Sequence, residues 1–182
     1  MQTAEATFKI CIFGDSGVGK TTLTQRYLTG SFRVEFKKTL GAEIFVKYLN
    51  VEKIRVVLQI WDFGGEDIFA ALLPCYANGS SGGIFMYDIT NKRSFEKVKI
   101  WLDTFKGGLI GEEKNIPILM VGSKKDQEEN RINTLDEAID VFKTYNFYEY
   151  IECSSKTGEN IEKIFQIITR AMMKNVGLIP KT

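Results

Sequence analysis

Residues Gly14-Asp15-Ser16-Gly17-Val18-Gly19-Lys20-Thr21 complete a G-x-x-x-x-G-K-[ST] run, residue types whose spacing suits the binding of a polyphosphate. Glycines let the backbone wrap closely around an anion, because no Cβ blocks positive φ or close approach. Successive N–H groups then point inward, reinforced by the positive end of the helix that follows. In this motif Lys20 reaches the β- and γ-phosphates and the Thr21 hydroxyl binds Mg2+.

Three further segments carry chemistry of a matching kind. Leu58-Gln59-Ile60-Trp61-Asp62 ends a hydrophobic run on a carboxylate, which suits holding Mg2+ through its water shell. Gly65, three residues on, is placed to offer a backbone N–H to a γ-phosphate. Leu119–Asp126 and Tyr150–Gly158 both run from an apolar strand pattern into a polar loop. A carboxylate can accept two hydrogen bonds from guanine N1–H and N2–H2, whereas adenine lacks that donor pair. Asp126 is the candidate for this discrimination, and a site built on a polar pair rejects the wrong base strongly.

The elements that position these residues read as alternating apolar strands and amphipathic helices, which predicts an α/β sheet covered on both faces. Strands are expected near Thr7–Phe13, Gly41–Leu49, Ile54–Trp61, Gly82–Tyr87, Ile116–Val121 and Tyr148–Glu152. Only Asn50-Val51-Glu52-Lys53 separates the second from the third, so that pair must be antiparallel and the rest parallel. Ile161, Ile164, Phe165, Ile168 and Met172 make one helical stripe, and Phe95, Val98, Leu102 and Phe105 another. Thr134 to Glu137 fits a capping box that opens a helix with Ala138, Ile139 and Phe142 facing inward. Trp101, Phe105, Met172 and Met173 read as packing residues. Segments 22–41 and 63–82 show weaker periodicity and suit switching loops. In open sheets of this kind ligands collect at the carboxyl ends of strands, so the four motifs should converge on one crevice.

Composition narrows the alternatives. The 182 residues fit a single domain, with flexible ends expected at 1–6 and 175–182. With 24 Lys+Arg against 23 Asp+Glu, no bulk field favours a nucleic-acid partner, so phosphate binding must be local. The count of His is zero, which removes imidazole catalysis and His-ligated metals. Cys11, Cys75 and Cys153 are scattered and odd in number, consistent with thiols in a reducing compartment. No membrane span, myristoylation glycine or prenylation box is present, so a cytoplasmic chain without a membrane anchor is expected, unless a lipidated tail is missing from it.

Together these segments resemble the small Ras-superfamily GTPases, most of all the Rab-like branch. The resemblance runs from Thr7 to about Lys174. It rests on Gly14–Thr22, Thr39-Leu40-Gly41, Trp61–Asp67, Tyr87–Thr90, Ser123–Asp126 and Glu152–Lys156, in family order. It implies a P-loop NTPase fold: a six-stranded, mostly parallel sheet of order 2-3-1-4-5-6 with five flanking helices. It also implies Mg2+, GTP and GDP as ligands, a monomer, and effector, exchange-factor and GTPase-activating partners. Carried over by position, Ser16, Gly17, Val18, Gly19, Lys20, Thr21 and Thr22 surround the phosphates. Thr21 and Thr39 give Mg2+ its hydroxyls, with Asp62 behind its water. Phe32 packs on the base, Ser154 and the Ser155 N–H contact it and its O6, and the Lys124 and Lys156 stems lie along its faces. Ser123 stands in the base-loop motif and Gly65 meets the γ-phosphate.

Departures from the family pattern modify these expectations. Glu66 replaces the Gln that orients the attacking water, and a carboxylate cannot donate an N–H to the transition state. Ser123 replaces an Asn, losing an amide that ties the base loop to the phosphate loop, with an expected affinity loss of ~1–2 kcal/mol. Phe63-Gly64 replaces Thr-Ala, which loosens the second switch, and Ile44 replaces an aromatic beside Trp61 and Tyr76. The leading expectation is a GTP-hydrolysing switch of vesicle-trafficking type. Its competitor is a nucleotide-locked scaffold that hardly hydrolyses GTP because of Glu66. A P-loop kinase is a third reading, disfavoured by the missing arginine-rich lid.

Overall fold

Period-two alternation in the central strands decides the architecture. Ile10 and Ile12, Ile84 and Met86, and Leu119 and Val121 point to one face of the sheet, and Cys11 and Phe13, Phe85 and Tyr87, and Met120 to the other. A strand buried on both faces needs helices on both, and the computed structural model, which describes residues 6–32, 39, 41–66, 70–111 and 115–180, has that arrangement. Leu40, Asp67 and the ends 1–5 and 181–182, named above, lie outside the described residues.

Strands β1 (Ala6–Phe13), β2 (Ala42–Val51), β3 (Ile54–Phe63), β4 (Gly82–Asp88), β5 (Ile118–Ser123) and β6 (Glu149–Glu152) form one sheet in the order β2-β3-β1-β4-β5-β6. Only β2 and β3 pair antiparallel, from Ala42 opposite Phe63 to Val51 opposite Ile54. Their turn is tighter than expected. Two residues suffice, Glu52 (φ 49°) and Lys53 (φ 70°), both in the left-handed region that such turns usually fill with Gly or Asn. Strand pairing here overrides local preference.

The described helices are α1 (Lys20–Thr29), α2 (Leu73–Ala77), α3 (Lys92–Glu96), α4 (Val98–Gly107), α5 (Leu135–Thr144) and α6 (Ile161–Asn175), with a 3-10 stretch at Lys125–Asn130. The first eight residues of segment 22–41 therefore belong to α1 rather than to a loop. The expected stripe Phe95–Phe105 is split at Lys97 (φ −80°, ψ 3°) into α3 and α4, yet all four of its apolar residues are buried.

One core lies under α1 and α6, where Ile164, Phe165, Ile168 and Met172 meet Ile10, Leu58 and Ile84. Tyr27 of α1 stacks on Phe165, ring centroids 3.8 Å apart. The second core lies under α4 and α5 and holds Trp101, Phe105, Ala138 and Phe147. The Thr134–Glu137 capping box is formed, with Glu137 N–H donating to Thr134 Oγ1 and Thr134 N–H to Glu137 Oε2. Ile139 is a correction: it is 38% exposed, because Ala138, Val141, Phe142 and Tyr145 make the inward stripe and residue 139 falls about 100° around the helix from Ala138. Of the ends expected to be flexible, Ala6 pairs with Val56 and Ile179 packs into the first core. No described helix is long and apolar enough to cross a membrane.

Candidate functional site

The site gathers at the carboxyl ends of β1, β3, β5 and β6. At the end of β1 the chain turns through a loop whose last residue, Gly19 (φ 96°), takes a left-handed conformation that a side chain would strain. That residue opens α1, whose first turn has no acidic side chain and no side-chain cap. Its leading amides are therefore available to an anion. Lys20 is 5% exposed, and its Nζ donates to Gly14 O and Asp15 O, both at 2.8 Å. Burial lowers its pKa to about 8, against the upward pull of Asp62 and Asp15.

The β3 end docks directly on this loop. Ser16 N–H donates to Gly65 O at 2.9 Å. A Cβ on Gly65 would stand 2.2 Å from both Asp15 C and Ser16 N, so only glycine permits this approach. Beside it, Thr39 Oγ1 lies 2.7 Å from Thr21 Oγ1, which donates to Asp62 Oδ2. Each hydroxyl has one proton, so the relay runs from Thr39 through Thr21 to the carboxylate. Two hydroxyls and one fully buried carboxylate are hard oxygen donors, a set that fits Mg2+ when completed by phosphate and water. Among the described residues no cluster of three or more His, Cys, Asp or Glu could hold a metal by itself. Glu66 follows Gly65 and is partly buried, its carbonyl accepting from Ala70 N–H.

Next to the phosphate loop is a cavity of about 190 Å³, walled by Gly17, Val18, Gly19, Thr22 and Phe32 on one side and by Ser123, Lys124, Asp126, Ser155 and Lys156 on the other. A larger cavity of about 460 Å³ opens at the opposite strand ends, between Leu102, Ile118, Phe147 and Ala171, and none of the motif residues line it. Chemistry outweighs size here, and the smaller cavity is the candidate. Ser154 Oγ donates to Asp126 Oδ1 at 2.6 Å and accepts from Thr157 N–H at 3.1 Å.

Ser123 corrects an expectation. The tie between base loop and phosphate loop survives the missing amide, because Ser123 Oγ reaches Val18 O at 2.7 Å and Tyr87 O at 2.9 Å. A hydroxyl has one proton for two acceptors, so the tie is thinner than an amide would make it.

Some supporting residues gave no sequence signal. Asp15 Oδ1 accepts from Trp101 Nε1 at 2.9 Å and lies 3.1 Å from Lys97 Nζ, so the indole read as packing also anchors the phosphate loop. Below the Ser154 loop, Arg131 grips Glu152 with two bonds of 2.8 and 2.7 Å, and Tyr150 adds its hydroxyl at 2.5 Å. Burial pushes the Tyr150 and Tyr87 hydroxyls up, keeping them protonated and able to donate. A buried pair of this type costs about 3–5 kcal/mol when one partner is removed.

The Ras family profile matches residues 9–174. The chain belongs to the Ras family. It is 34% identical over 181 residues to the Ras-related protein Rab-1 of Theileria parva, covering 99% of this chain and 80% of that one. Rab-7a of Paramecium octaurelia is 34% identical over 90% of this chain and 80% of its own, and Rab-21 of Dictyostelium discoideum 35% over 96% and 81%. The chain is thus a small GTPase similar to the Rab proteins, a guanine-nucleotide switch with effector, exchange-factor and activating partners expected of that family.

The close approach at Gly65 yields a test. Gly65→Ala should cost about 1–3 kcal/mol as an overpacked contact, a fall in Tm of ~2–4 °C for each kcal/mol in a chain of this size. Amide exchange at Ser16 should accelerate as its partner carbonyl is pushed away. Wild-type exchange at Ser16 in that variant would contradict the docking described.

Proposed function

We propose that the chain is a Mg2+-dependent GTP/GDP switch of membrane-trafficking type, built as one G domain. The observation that carries this reading is that one cavity is bounded by both the phosphate loop and the Asp126 carboxylate. In this reading the loop from Ser16 to Thr22 surrounds the phosphates, which the amides beyond Ser16, whose own N–H is taken by Gly65 O, and the Lys20 ammonium hold. Thr21 and Thr39 give their hydroxyls to Mg2+, with Asp62 behind a water. The bound ion would neutralise charge that develops on the phosphate oxygens. Lys20 and the Gly65 N–H stabilise the same charge from the protein side, so catalysis is mostly positioning and electrostatics.

Asp126 accepts from guanine N1–H and N2–H2, and Ser154 fixes the rotation of that carboxylate. Ser155 N–H meets O6, while Phe32 and the Lys124 and Lys156 stems cover the base. Loss of the γ-phosphate removes what Thr39 and Gly65 hold, which releases both switch segments. The surface that reads this state includes Ile44, 53% exposed on β2 opposite Trp61, whose ring lies 5.8 Å from Tyr76.

The rate of hydrolysis turns on Glu66. A carboxylate at that position holds a water but repels phosphate charge, which supports the second reading, a GTP-loaded scaffold with very slow turnover.

Two measurements test these roles. Asp126→Asn should move preference from guanine toward xanthine nucleotides, by at least tenfold on the scale set for unpaired buried polar groups; an unchanged base preference would remove Asp126 from its role. In single-turnover hydrolysis, Glu66→Gln should raise the rate about tenfold or more if the carboxylate is the brake. A wild-type half-life of many hours would favour the scaffold, and one that Glu66→Gln leaves unchanged would remove Glu66 as its cause.

A further inference from the structure

The guanine site rests on a buried carboxylate that no motif reading assigned a role. Lys124, the first residue past β5, is in the left-handed region (φ 62°, ψ 36°), where a non-glycine residue is uncommon. This bend turns the strand into the 3-10 stretch that carries Asp126, and it sends the lysine side chain along the cavity wall. The ammonium of Lys124 ends 2.6 Å from Asp88 Oδ2. Asp88 closes β4 in register with Ser123, and its side chain is only 6% exposed.

Asp88 is itself immobilised at every polar atom. Its Oδ1 accepts from Thr90 N–H at 2.8 Å and from Thr90 Oγ1 at 2.7 Å. Its own N–H donates to Ser94 Oγ at 3.1 Å, and its C=O accepts from Asn133 Nδ2 at 3.1 Å. A lysine side chain ordered on binding loses rotamer freedom. Here that ordering is already present, because the stem is stretched between a bent backbone and a fixed anion. What faces the cavity is then an apolar methylene wall, with the charge drawn off to one end and neutralised.

We propose that Asp88 is a positioning residue of the nucleotide site, holding Lys124 so that its stem forms a preset wall for a planar base. The inference rests on the guanine-nucleotide reading of the cavity. It assigns Asp88 no contact with the nucleotide; it acts through Lys124. A merely structural role, through the Thr90 turn, is the competing account.

The experiment is release of a fluorescent GDP from the full chain into excess unlabelled GDP, for wild type, Asp88→Asn, Lys124→Met and the double variant. Asparagine keeps the shape of Asp88 and an acceptor for Thr90, while methionine keeps the Lys124 stem without its charge. Asp88→Asn should release GDP about 5–10 times faster, as part of that ordering is lost. In the Lys124→Met background the same change should add less than ~2-fold, since additivity fails only for residues that act through each other. An equal acceleration in both backgrounds would assign Asp88 to the turn and overturn the proposal, as would a wild-type rate for Asp88→Asn. If Asp88→Asn does not fold, Lys124→Met alone decides: faster release supports the anchor, and an unchanged rate removes it. Failure of the wild type to bind the probe would instead overturn the nucleotide reading, and this inference with it.

Discussion

A buried ammonium held by its own loop is the interaction on which the site depends. Lys20 is almost wholly removed from water, and its Nζ donates to the carbonyls of Gly14 and Asp15. Burial of an unpaired cation is costly, and the lowered pKa of Lys20 records that cost. Those two bonds tie the first residue of α1 back across the loop that precedes it. Under the proposed function an incoming polyphosphate would meet a shape already formed, with a cation that gains more from an anion than a solvated lysine would.

Everything else supports or reads that loop. Asp15, tied to Trp101 and Lys97, braces it from the α3–α4 side, Gly65 lies against it from β3, and Ser123 fastens it to the base cavity. Two of these braces come from strand ends, β3 and β5, and the third from the α3–α4 side, and the sheet with its covering helices brings them within reach of one another. A sheet buried on both faces keeps its strand ends at fixed spacing, and with them the start of each loop they carry.

What was legible in the sequence was mainly what is contiguous. The phosphate loop, the Thr134 capping box and the Ile161–Met172 stripe each lie within a few turns of chain, and their residue types state their geometry. The strands and the one antiparallel pair followed from alternating patterns, and their order from the family resemblance alone. Contacts between distant residues carried no such signal. Asp15 with Trp101 spans 86 residues and Ser123 with Val18 spans 105, and nothing in either local pattern points to the other. Ser123 shows the limit most plainly: the lost amide was visible, while the hydroxyl that replaces its tie depends on a backbone distance only the fold sets. Ile139 failed for a local reason, since one residue of helical phase separates an inward position from an outward one. The Glu52-Lys53 turn failed because pairing over the whole length of β2 and β3 outweighs the turn preference of two residues.

The measurement that tests the account most directly is calorimetric titration of the nucleotide-stripped protein with GDP and Mg2+, in paired buffers of different ionisation enthalpy. Lys20 has a pKa near 8 before binding, and a phosphate beside it raises that value, so a proton must be taken up only where the unbound amine has lost one. The account predicts no uptake near pH 6.5, uptake approaching one proton per nucleotide near pH 9, and the loss of that uptake in Lys20→Met. No binding heat with GDP, or binding whose proton uptake is unchanged in Lys20→Met, would contradict it.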